Sequence, residues 1–282
     1  LASGGILNIF GDMFLIFVLK LGVRGAGIST AISQYISMAI LISPFLRGKV
    51  QSRLNIRYVT RQFSDVSNIL ATGFPSLMRQ GLNSVSVMVL NRFAGPYGDA
   101  AIAAMSIVTR IINFLFCVAL GIGQGFQPVS AFNYGAGKYK RIYEGMRKGF
   151  FICIAAAAIG AAICIFGGEF IVSWFVSNPS DEIFSYAMMY LKTVSWFFLP
   201  LAMIFLYRNA LQGLGEGLVP MLSGVIELVC RFVAIALLQK PLGYQGICLA
   251  DPAAWVGAGI PLMITYIIWK SKKIRQHSSS PA

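Results

Sequence analysis

The chain has 282 residues, 57% hydrophobic and 12% charged, with a formal net charge of +13 and a mean hydropathy of +0.72. Soluble domains carry about 25% charged residues, so a soluble globular fold is excluded. No soluble module holds the basic excess together, which excludes a nucleic-acid partner as well. Eight apolar segments follow in chain order: 4–19, 25–46, 66–92, 100–133, 149–176, 184–212, 218–239 and 246–269. About 20 apolar residues cross the hydrocarbon core as a helix, and in lipid the backbone must satisfy its own hydrogen bonds. The expected fold class is an all-α polytopic membrane protein of eight transmembrane helices.

Short connections rich in turn formers join the segments: KLGVRG, AGPYGD, SNPSDE, QGLGEG and QKPLGYQG. The longest polar stretch, RGKVQSRLNIRYVTRQFSD, reads as a surface linker with an amphipathic portion between segments two and three. The five cysteines form no CxxC pair and read as small buried hydrophobes. The single histidine, His277, lies in the polar tail, which argues against a zinc site or a Ser-His hydrolase. The basic turn GAGKYKR lacks the Gly-Lys-Ser/Thr of a phosphate-binding loop. The chain is therefore expected to be no enzyme and to use no cofactor. It opens without Met or a signal-peptide n-region.

Lysine and arginine concentrate in the linker (Arg47 to Arg61), in the connection between segments four and five (Lys138 to Lys148), and in the tail (Lys270 to Arg275). The opposite connections carry few. By the positive-inside rule the linker, that connection and the C-terminus face the cytoplasm. The connection holding QGLGEG, with Arg208 just before it, is a basic-poor exception. The chain also repeats itself. SGGILNIFGDMFLIFVLKLGVRGAGISTA (3–31) parallels SGVIELVCRFVAIALLQKPLGYQGICLADP (223–252), each an apolar run turning at Gly-x-x-Gly. The repeat sets Asn8 against Glu227 and Asp12 against Arg231. With a two-residue insertion it sets Thr30 against Asp251. Repeated hairpins of one orientation suit the parallel repeats of some transporters.

Three stretches carry a family resemblance. PLAMIFLYRNALQGLGEGLVPMLSGVIELVCR (200–231), GIGQGFQPVSAFNYGAGKYKR (121–141) and TGFPSLMRQGLNSV (72–85) resemble the multidrug and toxic compound extrusion (MATE) family, in its bacterial multidrug-efflux form. The resemblance implies twelve helices in two six-helix lobes around a V-shaped cavity. Residues 1–46 then match the last two helices of the first lobe, 47–65 the cytoplasmic linker, 66–270 the second lobe, and 271–282 a cytoplasmic tail. Four N-terminal helices would lie outside these 282 residues.

Asn8 and Asp12 share one helical face, and Thr30 returns at similar depth. A carboxylate, an amide oxygen and a hydroxyl form a hard oxygen set suited to Na⁺ or a proton. The resemblance places a first-lobe cation site there, completed by an acid on a helix this chain does not contain. The competing reading is plain hydrogen bonding within the bundle. Glu227 and Arg231 stand in the favourable order four residues apart, and Asp251 joins them through the repeat. They form a structural clamp, or else they handle cation or substrate. On the second reading Arg231 is a built-in cation, and two acids against one arginine leave one negative charge. Gln80 and Asn83 are expected to line the cavity, Arg79 to reach the interface, and Lys192 either to snorkel or to line the cavity. Some family members carry an acid in the third segment for second-lobe coupling, and none stands there here.

The resulting expectation is a monomeric secondary multidrug exporter of the bacterial plasma membrane. It would exchange amphipathic or cationic compounds for H⁺ or Na⁺. A flippase of lipid-linked sugars or polyprenyl phosphates is the alternative, and that site would want Arg79, Lys192 and Arg231 in its cavity. A chain that does not transport by itself is the other.

Overall fold

The computed structural model describes residues 2–48, 62–176 and 182–278. Most of the expected linker, including Lys49, Arg53, Arg57 and Arg61, lies outside the described residues. Everything described is helix or turn. The chain divides into two compact units, 1–67 and 68–282.

The first unit is a helical hairpin. Helix α1 (Ala2–Asp12) runs on as a π-helix, Met13–Val18, and α2 spans Gly22–Leu46. Between them Lys20 takes a positive φ of 53° and Gly22 one of 54°, which turns the chain tightly. The hairpin is held by small residues. Gly25, Ser29, Ser33 and Ser37 recur every fourth position along α2 and are its buried residues. Opposite them, a Cβ on Gly4 would lie 1.8 Å from Ser37 Oγ, and one on Gly11 2.4 Å from Ser29 Oγ. Lipid tails are as apolar as Leu, so helices in a membrane associate through close backbone approach and packing. The glycine–serine seam supplies that approach.

The second unit holds α3 (Phe63–Ala94, its first turn in the first unit), α4 (Asp99–Leu115), α5 (Cys117–Gly135), α6 (Tyr139–Ser173), α7 (Glu182–Ser195), α8 (Phe198–Gly213), α9 (Leu218–Leu242), the short α10 (Tyr244–Cys248) and α11 (Ala250–Ser278). Four described helices are long and apolar enough to cross a membrane: α2, α6, α9 and the stretch Tyr244–Lys272. The number rises to six if each of two bent pairs counts as one span. The fourth and sixth apolar segments are therefore not the continuous rods expected of them. The first breaks at Phe116, with a bend of 50° between α4 and α5. The other breaks between Ser195 and Phe198, with a bend of 60° between α7 and α8. Phe116 sits at φ −90°, ψ 1° and Phe197 at φ −108°, ψ 17°, sparsely occupied angles at which a helix stops propagating.

The core gathers on the inner faces of these helices. Helix α4 packs on α7, α5 on α8, α9 on α11, and α8 on both α6 and α11. The α5–α8 crossing is close enough that a Cβ on Gly123 would lie 2.7 Å from the Phe205 carbonyl oxygen, and one on Gly213 2.4 Å from that of Gln127. Phe116 stacks edge-on against Phe198 with centroids 4.7 Å apart. Tyr134, Tyr139, Tyr143 and Trp269 gather where α5 ends and α6 begins, against the later part of α11. Lys270 lies 5.5 Å above the Tyr143 ring. Amphipathic rings at this level suit a membrane–water interface.

Candidate functional site

In the first unit the seam brings Asn8, Asp12 and Thr30 together. The Asn8 amide donates to Asp12 Oδ1 at 3.4 Å, to Thr30 Oγ1 at 3.3 Å and to Ser29 Oγ at 3.4 Å. Ser29 in turn donates to the Asn8 carbonyl at 3.1 Å, and Thr30 to that of Ala26 at 2.9 Å. Asn8 is the hub, and among the described residues Asp12 meets Thr30 through it. Asp12 is the last α-helical residue before the π-helical stretch. Such π-turns loosen the regular backbone bonding and recur at functional sites. Ser29 is a further partner that the Asn8–Asp12–Thr30 expectation does not include, although its place in the Gly25–Ser29–Ser33–Ser37 spacing is readable in the sequence.

The second unit builds a denser cluster. Glu227 accepts from Arg208 Nη2 on one oxygen at 3.1 Å and faces Arg231 Nη2 on the other at 3.5 Å. Arg231 then turns both Nη2 and Nε onto Asp251 Oδ1, at 2.8 and 2.9 Å. The buried Tyr190 hydroxyl donates to the second Asp251 oxygen. Arg208 Nη2 also donates to Ser223 Oγ at 3.1 Å. Asp251 stands in the first turn of α11, where the helix dipole favours an anion. Six side chains from α7, α8, α9 and α11 thus form one network of bonds, with Arg208, Arg231 and Asp251 each under 10% exposed.

Arg208, counted with the connection that follows it, is buried and bound in the cluster. The expected surplus of one negative charge therefore disappears, because two carboxylates meet two guanidiniums. Sequence periodicity reads along one helix. Arg208 and Tyr190 come from other helices, and nothing local marked them as partners.

The cluster forms part of the wall of a cavity of ≈ 430 Å³ enclosed by α3, α4, α5, α7, α8, α9 and α11. Gln80 and Asn83 line it, as does Arg79, whose expected place was the interface. The Arg79 stem lies against α9, with its Cγ 3.6 Å from where a Gly224 Cβ would sit. Lys192 is not among the lining residues. It stands 3.9 Å from Glu169, at 55% and 77% side-chain exposure, a weak surface pair. No group of three His, Cys, Asp or Glu side chains comes together among the described residues.

Residues 75–237, the helices that enclose most of this cavity, match the family model MatE. The multidrug export protein MepA of Staphylococcus aureus strain MSSA476 is 29% identical over 273 residues, covering 95% of this chain and 59% of its own length. The MepA of Staphylococcus haemolyticus is 28% identical over 251 residues, covering 88% and 54%. The chain thus spans a little over half the length of these relatives. Among solved structures, an outward-facing multidrug resistance MATE family transporter of the MOP superfamily superposes with a TM-score of 0.83 at 19% identity. That superposition covers 97% of this chain and 62% of the other. The Vibrio cholerae MATE transporter VcmN gives 0.83 at 19%, covering 97% and 61%.

Proposed function

This chain belongs to the MatE family, and on that premise we propose that it works as the second-lobe-bearing part of a secondary multidrug exporter. The observation that carries the reading is the overlap between the family match and the helices that enclose the polar-walled cavity. The protein is a membrane protein. Its function in this reading is transport of small amphipathic compounds, organic cations among them, across the bacterial plasma membrane, driven by an inward flow of H⁺ or Na⁺.

The eight apolar segments act as eight crossings, with the bent pairs α4–α5 and α7–α8 each one crossing. Residues 1–46 supply two helices of the first lobe, 47–65 the linker, 66–270 the second lobe, and 271–282 the tail. Linker and tail face the cytoplasm, and the unit acts as a monomer. Asn8, Asp12 and Thr30 serve as the coupling site. Asp12 is the acid there, and an acid in a membrane helix costs about 2.5–3.5 kcal/mol on insertion scales and usually serves transport. The Asn8 amide holds its carboxylate on the α1–α2 seam. A proton or Na⁺ that binds Asp12 drives the cycle only if it prefers one access state. The Arg208–Glu227–Arg231–Asp251 cluster braces the second lobe, and its two carboxylates and two guanidiniums cancel internally.

The test is drug efflux from cells or vesicles carrying the complete gene product, under separate Na⁺ and pH gradients. Asp12→Asn is expected to lower gradient-driven efflux by about ten-fold or more, the scale of a differential interaction of roughly 1.4 kcal/mol. Normal efflux under both gradients would sink the coupling role of Asp12.

A further inference from the structure

The cavity of the second unit has an unbalanced wall. Its charged lining residues are Arg79, Arg208, Arg231, Glu227 and Asp251, three guanidiniums to two carboxylates. Both carboxylates are already committed. Glu227 is shared between Arg208 and Arg231, and Asp251 is held by Arg231 and Tyr190. Arg79 makes no hydrogen bond or ion pair among the described residues, and its Nε is buried without an acceptor. Arg208 Nε and Arg231 Nη1 are likewise buried and unpartnered. The wall is therefore short of acceptors as well as of negative charge. A positive charge without a counter-charge inside a membrane domain is costly.

The rest of the lining says what shape of counter-charge fits. Gln80, Asn83 and Asn113 carry amide N–H groups on the α3 and α4 sides. Phe116, Phe205 and Trp255 give the same cavity an aromatic surface. Guanidinium pairs carboxylate-type oxygens bidentately, and its planar donors fit that geometry better than a point cation does. Pockets that bury drug-sized ligands combine an apolar surface with a few such polar groups.

We propose that this cavity is a receptor for the anionic group of an amphipathic organic molecule, a carboxylate or sulfonate on an aromatic body, with Arg79 as its principal partner. The inference deepens the efflux reading, for which it names a substrate class beyond organic cations. Its binding test stands apart from transport, so either can fail without the other.

The probe is 2-naphthoate, bound to the complete gene product in nanodiscs and followed by quenching of tryptophan fluorescence, to which Trp255 contributes. Its methyl ester and 2-naphthylmethylammonium carry the same rings with neutral and positive heads. Naphthoate is expected to bind about ten-fold more tightly than either, the discrimination of one charge-assisted hydrogen-bonded contact. Arg79→Gln should erase that preference, and Arg79→Lys should keep part of it. Equal binding of the three probes by the unaltered protein overturns the proposal whatever the variants do. So does an undiminished preference in an Arg79→Gln protein whose thermal melting matches the parent. Displacement of naphthoate by chloride at equal concentration would show a simple inorganic-anion site and overturn the amphipathic assignment, whereas resistance to it supports the proposal.

Discussion

At the residue scale, the Arg231–Asp251 pair sets the terms for its neighbours. Both side chains are at most 10% exposed and 2.8 Å apart. Removing one partner of a buried pair strands the other charge, at about 3–5 kcal/mol. Arg231→Met is therefore expected to lower the unfolding free energy by about that amount. The double variant Arg231→Met/Asp251→Leu should recover a large part of it. A double-mutant cycle on denaturation midpoints checks this, and additive single costs would show that the two residues do not act as a unit. This pair also shows how far the sequence could be read. Glu227 and Arg231 were visible because they break an apolar run four residues apart on one helix, and the repeat brought in Asp251. Arg208 gave no such signal. It precedes a glycine-rich turn, where arginines commonly reach the interface, and only the packing of α8 on α9 reveals its bond to Glu227. Asn8, Asp12 and Thr30 were legible for a related reason, since a two-helix hairpin with a short turn fixes which depths face each other.

At the element scale, the α1–α2 seam depends on atoms that are not there. Gly11→Ala would set a methyl 2.4 Å from Ser29 Oγ, and overpacking of this kind costs about 1–3 kcal/mol. The same change pushes Ser29 away from Asn8, so the Asn8 contacts should loosen with it. Adding Ser29→Ala removes the clashing oxygen and is expected to restore part of the loss, as read from thermal melts of the protein in detergent. If Ser29→Ala restores nothing, the Gly11–Ser29 contact is not what holds the hairpin. The helix breaks were harder to foresee than the seam. Pro200 in the first turn of α8 is a local signal for the stop before Phe198, whereas segment four carries no proline or glycine at its break, so composition alone could not place a stop at Phe116. Packing does. The Phe116 ring meets the Phe198 ring edge-on in the core. Phe116→Ala should cost about 3–5 kcal/mol, measured by the same melts, and a loss below about 1 kcal/mol would show that the ring contact is incidental.

At the scale of the whole molecule, the distribution of basic residues makes a topological prediction. Lys140 opens α6 and Lys240 closes α9, both exposed, and the proposed orientation puts them on opposite membrane faces. In a cysteine-free background, an impermeant thiol reagent outside intact cells should label Lys240→Cys and leave Lys140→Cys unlabelled until the cells are opened. Labelling of both from outside would refute the orientation. The helix content was readable from hydropathy, because the bilayer sets element lengths. The cavity was not, because it is made by seven helices meeting. Those helices also meet in a particular way. Helix α4 keeps company with α7, and α5 with α8, while the joints between them stack ring against ring. The lobe is thus built in two storeys with a shared floor at Phe116 and Phe198, and α9 and α11 run past it as unbroken columns. At each joint the backbone bonding passes through a single residue: Phe116 donates to Ile112 and accepts from Leu120, and Phe197 donates to Val194 and accepts from Leu201. The Arg208–Glu227 and Tyr190–Asp251 bonds anchor the storeys to the columns, Arg208 from the storey of α5 and α8, Tyr190 from that of α4 and α7.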